Sequence, residues 1–267
     1  KMSTGEGSNP NYLKPDLIAG LIAEVDGTIV ECNTAYGNAP EDKQDERNTS
    51  ENHWRVIERH GFTPAFRVDI MDEEGDMKIP VQDTTHIKYD IVGTHMANYD
   101  FMIALNHFKG HPMGGYGGAL KQLSIGCASR EGKALIHSGG VSKDNVEAWN
   151  VHAQQDRFLE AMADAASTVV RNFAGRIAFV NVMKNLSVDC DCCAVAEDPC
   201  MKDIGILASL DPVAIDQACL DMVNASDDPG KAHFLERVNS RHGVHTIEAA
   251  AALGFGSREY ELIEIRG

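Results

Sequence analysis

Apolar positions along the chain follow two periods, one near 3.6 and one near 2, and together they predict an α/β protein. Leu17, Ile18, Leu21, Ile22 and Val25 keep the three-four spacing of one helical face, with Pro15 suited to the first turn and an end near Glu24. Thr28 to Glu31 then reads as a short strand. A helix from about His53 to His60 packs through Trp54, Ile57 and Val56, and Phe66 to Met71 and Ile87 to Val92 read as strands. Between those strands MDEEGDMKIP reads as a turn, its acids Asp72, Glu73, Glu74 and Asp76 hydrated. Phe101 to Leu105 (FMIAL) has the length and composition of a buried strand. Gln155 to Phe173 is a long amphipathic helix through Phe158, Leu159, Met162, Val169 and Val170, and the strand Arg176 to Val182 follows it closely. Asp203 to Ser209 is a further strand, and Asp211-Pro212 and Asp228-Pro229 mark helix starts. Thr246 is placed to cap the alanine-rich IEAAAALG, and Tyr260 to Ile265 reads as a closing strand. The alternation predicts mostly parallel sheets flanked by helices, in two lobes of about 1–100 and 101–267 that meet at a glycine-rich loop.

That loop is where the chemistry concentrates. The FMIAL strand delivers His107, Lys109 and His111, and Gly110, Gly114, Gly115, Gly117 and Gly118 follow, residues that let a backbone turn sharply and approach a ligand. Lys121 stands just beyond, in a first helical turn whose N–H groups favour an anion. These residues together predict a site for a small anionic metabolite or cofactor. Asn33, Thr34 and Tyr36 in CNTAY leave a strand's carboxyl end, where open α/β sheets tend to bind ligands, and are secondary candidates beside the reading of an ordinary polar turn. Gly37 to Asn52 reads as a solvated loop. His137 ends the run KALIH and is able to return to the glycine loop.

Charge narrows the partners. Lys and Arg number 24 against 40 Asp and Glu, and a formal charge of -16 repels nucleic-acid backbones and anionic membrane surfaces. No apolar run has the length of a membrane span, so the chain reads as a soluble cytoplasmic protein. Seven cysteines, an odd number, point to reduced thiols. Four of them, Cys190, Cys192, Cys193 and Cys200, lie within DCDCCAVAEDPC and could ligate zinc or an iron centre, with a redox-sensitive or structural loop as the alternative. A metal there would imply electron transfer with a redox partner protein.

The runs HFKGHPMGGYGGALKQLSIGCASREGK, STGEG, DCDCC and DIGILASLDPVAIDQACLDMV closely resemble the family known as domain of unknown function 362, over nearly the whole chain. Members of that family are often described as iron-sulfur centre proteins with a ferredoxin-like insert. Here the corresponding stretch, Ser138 to Gln154, holds no cysteine. A more distant likeness is to nickel-dependent lactate racemases, through His111, Lys121 and His137 in a G-x-G-G-x-x-K context. This resemblance implies a lysine that tethers a nickel pincer cofactor (Lys121), a nickel ligand (His137) and an acid-base histidine (His111), acting on a 2-hydroxy acid. The second acid-base histidine of the racemases has no counterpart in CNTAYG. Near their phosphate-binding motif stand only STGEG, with Thr4, and Lys14-Pro15. The leading expectation is an enzyme of redox or isomerase type, and the rivals are a cysteine-loop metal protein and a noncatalytic anion sensor.

Overall fold

The computed structural model describes residues 1–35, 46–83, 85–151 and 153–265. Tyr36 and most of the polar stretch after it lie outside them. Helix α1 (Pro15–Val25) opens on its proline and closes on Asp26, which has φ 45°. Of its apolar positions only Ile18 is buried, and Leu17 and Val25 are exposed, so the helix lies across the rim of the core. Strand β1 (Ile29–Glu31) follows. Helix α2 (Ser50–Arg59) is capped by the Thr49 side chain and buries His53, Val56 and Ile57; β2 (Val68–Ile70) then pairs parallel to β1. Part of MDEEGDMKIP is strand and not turn. Met77 and Ile79 alternate with exposed neighbours in β3 (Asp76–Pro80), which pairs antiparallel with β4 (Tyr89–Gly93).

Strand β5 (Met102–His107) runs two residues beyond FMIAL, and a tight hairpin of β6 (Lys109–His111) and β7 (Gly115–Gly117) occupies the middle of the glycine-rich segment. The short α3 (Ala119–Lys121) passes directly into a π-helical turn over Gln122–Gly126. Helices α4 (Arg130–His137), α5 (Asn145–Asn150) and α6 (Gln155–Phe173) come next, and the run KALIH is the last part of α4. Strand β8 (Ile177–Met183) lies parallel to β5 in register from Met102–Ile177 to His107–Val182, and β9 (Gly205–Ser209) pairs antiparallel on its far side. Helices α7 (Pro212–Ala225), α8 (Lys231–Ser240) and α9 (Val244–Ala252) complete the regular structure. Thr246 sits inside α9 and is buried, so it is no cap, and Tyr260 to Ile265 is exposed without strand pairing.

The molecule is therefore mixed α/β, with parallel pairs β1–β2 and β5–β8 and helices packed around them. The first two residues join these pairs: Leu105 N–H donates to the Lys1 carbonyl (2.9 Å) and Met2 N–H to that of Val30 (3.4 Å). The carboxyl ends of β1 and β5 thus open on one side, where Glu31, Cys32, Asn106 and His107 line adjoining recesses. No helix among the described residues is long and apolar enough to cross a membrane.

Candidate functional site

The hairpin positions the two central side chains. Lys109 and His111 are two residues apart on β6, so they project to the same face. Gly110 between them makes room for another loop, because a Cβ there would lie 2.4 Å from the Val188 carbonyl oxygen. Gly110 N–H donates to Ser187 O (2.8 Å), and this crossing carries Cys190 to Cys193 over the hairpin. Gly115, at φ 81°, meets the Gly243 backbone, 2.9 Å from where a Cβ would stand. These glycines serve packing between loops. Only Gly117 and Gly118 reach the recess, and Gly114 lies beside His111.

Nor is the helix start beyond the glycines open to a ligand. Its anion is the protein's own Asp216, on α7, which accepts from Ala119 N–H (2.7 Å), Leu120 N–H (2.9 Å), Asn181 Nδ2 (2.8 Å) and Tyr116 OH (3.2 Å). Burial nevertheless pushes the Asp216 carboxyl up to about 6, against these four donors. What the arrangement fixes is Lys121, the last residue of the same short helix.

Lys121 lines two adjoining recesses of about 50 and 40 Å³. Its ammonium makes no hydrogen bond or ion pair among the described residues. Burial, then the neighbouring cations Arg47 and Lys133, push its amine down to about 8. Thr34 lines the same recess, and its buried hydroxyl also lacks a partner among the described residues. The recess walls carry Lys1, Arg47, Lys121 and Lys133 against the single carboxylate of Glu31, a cationic interior within a strongly acidic chain. A larger apolar groove of about 300 Å³ lies away from this chemistry, between α1 and the start of β5.

His111 faces this recess through Nε2. Gly114 N–H (2.8 Å) and Met113 N–H (3.2 Å) both donate to its Nδ1, so in the neutral ring Nε2 carries the hydrogen. Burial, reinforced by Lys121, holds its pKa well below the usual histidine range, and the ring is neutral at pH 7. Nε2 lies 4.0 Å from Cys192 Sγ. His107, Lys109 and Asp191 form a separate buried group. His107 Nε2–H donates to Lys184 O, leaving Nδ1 to accept from Lys109 Nζ (2.9 Å), while Lys109 also pairs with Asp191. Burial, then Lys109, keeps His107 neutral. This triad braces the cysteine loop from below.

His111, Cys190 and Cys192 come together closely enough to hold a metal, with one donor atom of each within 4.8 Å of the others. Cys190 and Cys192 are joined as a disulfide, however, and sulfurs bonded to each other are not thiolate donors. A metal at His111 Nε2 also requires the proton to move to Nδ1, against two backbone N–H groups. The donor set therefore fits a soft or borderline cation such as zinc or nickel only in the reduced protein. His137 stands apart from this group. Its Nδ1–H donates to Lys133 O (2.7 Å), its ring packs on Phe158 and Trp149, and burial pushes it down to about 4. Cys193 Sγ is 3.7 Å from Cys190 Sγ, and Cys200 donates to Leu186 O (3.2 Å), away from the others. Thr4 and Asn33 are engaged elsewhere, Thr4 with Glu31 and Asn33 with Asp72, Ser50 and His53.

Sequence reasoning missed Asn9, Arg47, Lys133, Asp191 and Asp216. Asp216 alone left a signal, a carboxylate on the buried face of a helix otherwise lined by Val213, Ala214, Ala218 and Leu220. The fold and site define an α/β protein with a cationic recess bordered by the Cys190–Cys192 disulfide. A family model described as domain of unknown function, DUF362, matches residues 1–221, and the chain belongs to that family. A comparison with curated proteins finds no match.

Proposed function

We propose that the protein binds a small anionic metabolite, of the size of a short 2-hydroxy or 2-oxo acid, and acts on it as an enzyme of isomerase or redox type. The observation that carries this reading is the presence in one recess of two polar groups without partners among the described residues, the Lys121 ammonium and the Thr34 hydroxyl. A carboxylate accepts from both at once, which satisfies two groups whose isolation is otherwise costly. His111 Nε2–H then faces the substrate as a neutral donor, suited to polarise a carbonyl or hydroxyl oxygen. Recesses of about 50 and 40 Å³ suit an ion of a few heavy atoms and fall far short of the roughly 300 Å³ of a site for larger ligands. A pincer cofactor built on a pyridinium ring does not fit them, so no step involves one.

Calorimetry with lactate, glyoxylate and pyruvate tests binding, and NMR of C2 hydrogen exchange in D2O tests turnover. Wild-type binding that disappears in Lys121→Met supports the site, and exchange lost in His111→Leu supports the enzyme. Binding without exchange leaves a sensor; no binding by any short carboxylate overturns the reading.

A second reading is favoured by the proximity of His111, Cys190 and Cys192, which in the reduced protein could hold one soft cation. Zinc or nickel bound after reduction and excluded after oxidation would support it. Equal binding by a Cys190→Ser/Cys192→Ser variant would sink it.

A further inference from the structure

The cysteine loop offers a chemistry that anion binding does not use. The Cys190–Cys192 bridge spans a single intervening residue, so it closes almost the smallest loop possible and restricts the unfolded chain little. Stabilisation is therefore a poor reason for it. The loop is held instead through its backbone: Glu6 N–H donates to Asp191 O (2.8 Å), Asn9 Nδ2 to Cys190 O (3.1 Å) and Cys193 O (2.8 Å), and Arg237 to Val188 O (2.9 Å). Breaking the S–S bond leaves that frame in place. The two sulfurs also differ in access, since Cys190 is 4 % exposed whereas Cys192 is half-buried and lines both recesses. Each has its own neighbour on the far side, Cys193 Sγ at 3.7 Å from Cys190 and His111 Nε2 at 4.0 Å from Cys192.

We propose that Cys190–Cys192 is a thiol–disulfide exchange centre that oxidises a small dithiol entering the recess at Cys192, with His111 stabilising Cys192 as the leaving sulfur. In the first step a thiolate of the dithiol attacks Cys192 Sγ, the S–S bond breaks, and its electron pair goes to Cys190. Cys190 takes up the proton lost by the attacking thiol, with Cys193 S–H beside it. In the second step the other thiolate attacks the dithiol sulfur now bonded to Cys192. Cys192 leaves as thiolate next to His111 Nε2–H and takes up the second proton. Two electrons and two protons have then passed to the protein, the dithiol has become a disulfide, and exchange with a small-molecule disulfide restores the starting state. This activity stands independently of the anion reading.

The experiment counts thiols by intact mass after alkylation in denaturant, in protein purified in air. Of seven cysteines five are free in the structure, so five labels are expected, and seven after native incubation with dithiothreitol. Peptide mapping should place the two new labels on Cys190 and Cys192. Cys193→Ser should give one label fewer in each state while keeping the reducible pair. His111→Leu, which leaves no N–H donor beside Cys192, should slow native reduction by about tenfold. Seven labels before reduction, or five after prolonged native reduction, overturn the exchange centre; an unchanged rate in His111→Leu removes the histidine from it.

Discussion

The Lys121 ammonium, without a partner among the described residues, destabilises the fold that holds it, because burial strips its hydration and Arg47 and Lys133 add like charge. The folded amine titrates at about 8, below its ordinary 10.5, so between those values the unfolded chain binds more protons. Stability therefore rises with pH across that window, and the penalty is present in full below it. Lys121→Met is expected to stabilise the protein at pH 7 by roughly 2 kcal/mol, since solvent reaches part of the side chain and trims the effect. Urea denaturation should show that gain shrinking as pH rises from about 8 towards 10.5. Anion binding has the opposite dependence: affinity is greatest with the ammonium intact and falls as pH rises through about 8. Thr34→Val separates the two effects. It removes a buried hydroxyl that has no described partner, so stability should hold or improve, while carboxylate affinity drops by about tenfold, the worth of one hydrogen bond to a charged group. Equal affinity in calorimetry would show that Thr34 only packs.

At the level of elements, the site depends on a three-residue helix that cannot stand alone. The α3 turn is fixed by Asp216, whose carboxylate takes two of its N–H groups and ties it to Asn181 on β8. Asp216→Ala should cost about 3 kcal/mol in chemical denaturation, because two backbone donors, one amide and the Tyr116 hydroxyl lose a buried acceptor together. It should also weaken anion binding without touching the recess directly, whereas affinity held at wild-type level would separate α3 from the site. Gly118 shows how closely these parts meet, since a Cβ there would lie 2.3 Å from Asp216 Oδ1. Much of this scaffold was legible in the sequence. Helix α6, strands β5 and β8 and the start of α7 follow from local periodicity and capping, which belong to the residues themselves. The hairpin was not legible, because glycines carry no side chains to alternate, and β3 was hidden behind four acids and a glycine that read as a turn. The sequence also pointed to His111, Lys121 and Cys192, but their meeting depends on loop crossings such as Gly110 on Val188, which no spacing encodes.

The whole molecule is joined where the β1–β2 pair meets the β5–β8–β9 sheet, and there a buried ion pair lies beside the recess. Lys1 Nζ sits 2.7 Å from Glu31 Oε2, both side chains almost fully enclosed, while Thr4 N–H and Oγ1 satisfy the other oxygen. Burial alone would push the Glu31 carboxyl up, but Lys1, then His53 and Arg47, hold it well below the usual carboxylate range. A depressed carboxylate contributes stability that is fully present above its ordinary pKa of 4.5 and is lost as pH falls below that value towards the folded pKa. Lys1→Met keeps the backbone bonds that bridge the strand pairs but leaves Glu31 short of its nearest cation. The expected loss at pH 7 is about 3 kcal/mol, the scale of breaking one side of a buried pair. That loss should diminish on acidification below 4.5, because the variant's Glu31 accepts a proton more readily in the folded state. A stability difference that stayed constant from pH 7 to pH 4 would assign the cost of Lys1→Met to packing instead of charge. Anion affinity supplies the second readout: Lys1 lines the recess yet has Glu31 as its partner, so its loss should weaken carboxylate binding far less than the loss of Lys121.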